Sequence, residues 1–133
     1  MRLFKVILAV ELIICFIWPA YMVVVCAAFG LLGIVSAFDG DYWGLFFTLL
    51  SITGIAGLYG IAQTYLKIAT PSLIVESPRI IFFCLCAGVV AIILASFIMN
   101  PSAAQYAFLI LPLLVTAHFV YLARGYLFGL DAG

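Results

Sequence analysis

Polar and apolar positions along this chain alternate on the scale of whole segments. Leu12 to Phe38 contains no charged residue, and neither does Tyr42 to Leu66 or Ile80 to Tyr121, the last broken only by Asn100-Pro101. Crossing the roughly 30 Å hydrocarbon layer takes about 20 apolar residues in a helix. The pattern therefore predicts four membrane spans at about 6–36, 42–66, 79–99 and 102–125, with a loop over 67–78. Short alternating segments of the kind that build a barrel are missing from the pattern. The fold class expected is an all-α membrane protein, a four-helix antiparallel bundle forming one domain over 1–133.

Composition sharpens this. Of 133 residues, 69% are hydrophobic and 8% charged, and the mean hydropathy is +1.43. A soluble domain of this length needs far more charge to cover its surface. Arg2 and Lys5 resemble a signal-peptide n-region, but Glu11 interrupts the apolar run that follows, and the run outlasts signal-peptide length. A retained first span is expected.

The positive charges set an expected orientation. Arg2 and Lys5 precede span one, Lys67 and Arg79 flank the 67–78 loop, and Arg124 closes span four. All fall on one side of an antiparallel bundle, so the positive-inside rule predicts both termini in the cytoplasm. A bacterial inner membrane is the expected location. The opposite links, "DGD" and "NPSAAQ", are short. They predict that spans one and two pair, and that spans three and four pair.

Asp39 and Asp41 could suggest calcium, but that ion wants six or more oxygens. Asp41 is better read as the cap of span two, with Tyr42 and Trp43 as headgroup-level anchors beside Lys5, Lys67, Arg79 and Arg124. Ser77-Pro78 and Asn100-Pro101 repeat a grammar of cap residue followed by proline at the first helical position. In the loop, Leu73, Ile74 and Val75 form an apolar triplet between two prolines. It fits a surface-lying segment or an extended docking strand.

Lipid gives helices no hydrophobic reason to associate, so small residues carry close approach. Span two offers Gly54, Gly57 and Gly60, and span three Ala87, Gly88, Ala91 and Ala95. These faces serve either internal packing or a partner. Pro19 and Pro112 lie mid-span at similar depth, where two kinks could shape a waist or cavity.

Chemistry-bearing residues gather in one half of the membrane. Glu11 lies six residues inward of Lys5, and His118 six inward of Arg124, placing each about 9 Å below the boundary. Gln63 lies four residues inward of Lys67. Three readings of this polar cluster stand open. Span one could start late and leave Glu11 in water, Glu11 could pair with His118 or Gln63 as a structural lock, or Glu11 and His118 could handle protons or cations.

Four cysteines, Cys15, Cys26, Cys84 and Cys86, all lie within spans, where thiols act as small hydrophobes. Cys84 and Cys86 sit two apart and point to different sides of a helix, which disfavours a shared metal. A single histidine disfavours bis-histidine haem, and no serine or cysteine has an adjacent base. No metal, cofactor, nucleic-acid partner or catalysis is therefore expected. The function expected is that of a small accessory, assembly or immunity-type protein. It would act by helix packing with a membrane partner or with itself. The alternative is an oligomeric transporter or channel for protons or small ions, using Glu11 and His118.

Overall fold

In the computed structural model, residues 2–37, 42–99 and 103–129 are described. The order is α1 (Arg2–Ala37), α2 (Trp43–Ala69), α3 (Pro78–Met99), α4 (Ala103–Leu122) and a one-turn α5 (Arg124–Phe128). Three stretches are long and apolar enough to cross a membrane, Leu3–Val35, Trp43–Ala69 and Pro78–Phe97, and a shorter apolar stretch follows at Leu109–Leu122. Among the described residues the chain is all-helical, as a helical membrane bundle requires.

The boundaries have local causes. α3 opens on Pro78 directly after Ser77, and the first helical bond returns from Ile81 N–H to the Ser77 carbonyl at 3.1 Å. Proline costs nothing at that position because its missing N–H has no helical partner there. The other expected cap residues, Asp41 and Asn100, lie outside the described residues. α2 starts at Trp43, so the N-cap position falls on Tyr42, with no side-chain cap bond, rather than on Asp41. α2 runs three residues past the expected 66. It stops at Thr70, whose extended backbone (φ −140°, ψ 82°) suits a residue before proline. Span four ends earlier than expected, at Leu122 rather than 125. The chain turns at Ala123 into α5, and Gly129 ends that turn at φ 65°, a left-handed conformation that favours glycine.

Pro19 and Pro112 both stay inside continuous helices. Hydroxyls that would be stranded in lipid bond back to their own helix. Thr48, Thr64 and Thr116 donate to the carbonyls of Gly44, Gly60 and Pro112 at 2.9, 2.8 and 2.7 Å.

α2 is the central helix, with α1 and α3 antiparallel on its two sides. Its contacts with α1 run from Gly33 against Gly44, through Gly30 against Thr48 and Gly54 against Val23, to the Tyr65 hydroxyl on the Lys5 carbonyl at 3.5 Å. On the α3 side, Gly57 meets Gly88 backbone to backbone, and Gly60 meets Cys84 and Leu85. The expected pairing of spans three and four is not the main contact among the described residues, where α3 rests chiefly on α2. Glycine on both α2 and α3 lets their backbones approach more closely than either can approach the bulkier α4.

Two buried clusters result. The larger draws on all four long helices: Leu8, Cys15 and Phe16 from α1, Ile61 from α2, Ile81 and Leu85 from α3, Val115 and Phe119 from α4. The smaller takes Cys26, Leu50 and Ala91 from α1, α2 and α3. Because the helices alternate in direction, the larger cluster occupies the half nearer Lys5, Lys67, Arg79 and Arg124, here called the basic end. The smaller lies toward the 38–41 link.

Candidate functional site

The sequence places Glu11 and His118 at matching depth on α1 and α4, and the fold brings them together. His118 Nδ1 lies 3.0 Å from Glu11 Oε1 across 107 residues of chain. Their backbones are fixed by the larger cluster: Leu8, Cys15 and Phe16 surround Glu11 on α1, and Val115 and Phe119 flank His118 on α4. The His118 ring also meets Phe119 edge-on, with centroids 6.1 Å apart. The pair itself faces outward. The two side chains are 45% (His118) and 26% (Glu11) exposed on the lateral surface of the bundle. Such a pair can share a proton, lock α1 to α4, or present a polar group to whatever lies beside that seam.

Gln63 does not join it. Its side chain interacts with Tyr59 on the same helix, and the Tyr59 hydroxyl donates to Glu76 Oε1 at 3.3 Å. Tyr126 on α5 donates to the Glu76 backbone carbonyl. These bonds pin the 70–77 link beneath the bundle, with Ile74 left exposed. Val75 packs against the larger cluster.

The small-residue faces are engaged within the chain. A Cβ added at Gly57 would overlap the Gly88 backbone, and one at Gly60 would stand 2.9 Å from Cys84 Cβ and 3.0 Å from Leu85 N. Ala91 is buried, and Ala95 packs beside it against the smaller cluster. Ala87 is half-buried. At Gly54 the neighbour is only the Val23 side chain, 2.5 Å from an added Cβ. Gly44, which matches Gly33 across α1 and α2, is a contact sequence reasoning missed. The signal was present: Gly33 and Gly44 flank the short link, seven residues before and four after Gly40.

Both prolines line one central cavity of about 130 Å³. Its walls include Phe16, Met22, Leu85 and Leu109, and its floor includes Gly54, Gly57, Gly88 and Ala91. Thr116 supplies the one hydroxyl in the lining, and that hydroxyl donates to its own helix.

The cysteines remain free thiols, with Cys15 and Cys26 buried, Cys84 half-buried and Cys86 exposed. Cys84 packs on Gly60 while Cys86 faces outward, as their spacing dictates. Among the described residues, no group of three potential ligands gathers to hold a metal.

Tyr42 and Trp43 are exposed at the link end, where amphipathic rings suit headgroup depth. At the opposite end, the Lys67 ammonium lies 4.9 Å from the Tyr126 ring centroid, and the Arg124 guanidinium 4.6 Å from that of Tyr121. No family model, no curated protein and no solved structure matches this chain.

Proposed function

We propose that this chain is a non-enzymatic integral membrane protein that associates sideways with another membrane protein or a second copy, through the seam between α1 and α4. Both termini face the cytoplasm in this reading. The observation that carries it is the Glu11–His118 pair, held at 3.0 Å yet exposed on the outside of the fold. Counting inward from Lys5 and Arg124 gives it an expected depth of about 9 Å. Ionisable groups facing hydrocarbon are costly, and those that persist within spans turn toward protein or water. A partner helix covering the seam would supply that protein surface. The glycine faces, being occupied internally, are not the partner surface, which moves the contact from α2 and α3 to α1 and α4.

Co-purification in mild detergent tests this. The wild type should travel as a homo-oligomer or with a larger companion, and Glu11→Gln with His118→Ala should release it. A protein that runs alone in mild detergent, and shows no proximity to a second chain in bilayers, overturns the proposal. Tags at the two ends should be reachable from the same side only.

The transport alternative relies on the same pair. The central cavity lends it little, because its walls are apolar, so any path would have to be completed by a second copy. Proton or cation flux in liposomes that survives Glu11→Gln and His118→Ala would dismiss it.

A further inference from the structure

A second concavity lies at the basic end, remote from the Glu11–His118 seam. α2, the start of the following link and the α4–α5 corner border an open concavity of about 600 Å³, lined by Lys67, Ile68, Pro71, Leu122, Arg124 and Tyr126. Two cations thus share one pocket. Among the described residues neither lies within 4.0 Å of a carboxylate. Glu76, the acidic side chain described nearest in sequence to Lys67, is engaged by the Tyr59 hydroxyl.

The cations are held in place but not used up. Lys67 Nζ donates once, to the Pro71 carbonyl at 2.8 Å, and rests over the Tyr126 ring. An ammonium has three donors, so two remain. Arg124 rests over Tyr121, and no acceptor among the described residues takes its guanidinium N–H groups. A guanidinium presents five donors in a fork that matches phosphate oxygens. The other walls are apolar: Ile68, Pro71 and Leu122 close the pocket on the side of the bundle.

We infer that this pocket binds the phosphate of an anionic phospholipid headgroup, with Lys67 and Arg124 as its ligands. Paired cations meet the phosphate charge, and the apolar wall meets the glycerol and first methylenes, which a free phosphate would leave uncovered. Basic pockets between membrane helices on the cytoplasmic side are suited to such headgroups. The site uses none of the residues of the proposed partner seam and stands or falls separately.

Thermal unfolding of the full chain in neutral detergent, followed by Trp18 and Trp43 fluorescence, tests the assignment. The additions are phosphatidylglycerol, phosphatidylcholine, or inorganic phosphate at matched ionic strength. Phosphatidylglycerol should raise Tm and phosphatidylcholine should not. With Lys67→Gln and Arg124→Gln combined, apparent affinity for phosphatidylglycerol should fall roughly 20- to 30-fold, from the usual contribution of two surface cations. Lys67→Arg should retain the effect, and so should Arg79→Gln, which removes a cation at the same end but outside the pocket. An equal shift from inorganic phosphate upholds the anion site and assigns it to a soluble phosphate. No preference for phosphatidylglycerol, or an undiminished shift in the double variant, overturns the inference. If the double variant does not fold, native mass spectrometry of the wild type with equal amounts of both lipids decides, and equal retention overturns it.

Discussion

The two halves of the bundle are held together by different means. At the basic end, buried side chains from four helices interlock around Phe119, which is 0% exposed. Toward the 38–41 link, helices meet through glycine: Gly33 on Gly44, Gly30 on Thr48 and, near the middle, Gly57 on Gly88. Between these regimes lies the cavity bounded by Pro19 and Pro112. Lipid tails are as apolar as leucine, so burying leucine gains little here. What holds helices together is contact density. The basic half reaches it with interdigitating side chains, the other half with backbones drawn close. A side-chain core tolerates some repacking, whereas a backbone contact leaves nothing that can rotate away.

Substitution can break this contrast. Gly57→Leu should have the largest effect, because the new side chain meets the Gly88 backbone and must push α3 off α2. Overpacking commonly costs about 1–3 kcal/mol, and the absence of a flexible neighbour puts this case at more than about 3 kcal/mol. Loss of folded fraction in a denaturing-detergent titration reads it out. Phe119→Ala should come next, at about 2–3 kcal/mol by the same titration. That is near the low end for a buried aromatic because the water-transfer part is missing in lipid. Gly54→Ala should cost least, about 1 kcal/mol or below, since only the Val23 side chain has to yield. Reversal of the Gly57 and Gly54 effects would mean that helix spacing is not set by backbone contact. A Phe119→Ala cost near zero would mean that the basic half is not the interlocked one.

Much of the architecture was legible in the residues. The charge-free stretches marked the helices, and Ser77-Pro78 marked the start of α3 to the residue. Counting inward from Lys5 and Arg124 put Glu11 and His118 at one level, which is a property of helical rise alone. What counting could not supply was azimuth. Gln63 has a similar depth, yet it points to Tyr59, because side chains on a helix fan around the axis at 100° per residue. The pairing of α2 with α3 was hidden for a related reason. Short links restrict which helices are near neighbours, but matched glycines decide which pair comes closest. The basic pocket draws Lys67 and Arg124 from points 57 residues apart, and its shape depends on the turn at Ala123, which no proline marks and which Gly125, two residues on, does not place.

The unequal lengths of α1 and α3 set up a hydrophobic mismatch inside one molecule. The apolar stretch of α1 has 33 residues and that of α3 has 20, or about 50 Å and 30 Å of helix. The shorter one fits a typical hydrocarbon layer upright. The longer one, even leaning by about 40°, still spans about 38 Å, so its ends reach into the headgroup layers. Thickening the bilayer with long-chain lipids would reduce that lean while leaving α3 upright and too short to follow. The resulting torque falls on the Gly33–Gly44 crossing, making bilayer thickness a mechanical input to the glycine-held half of the fold.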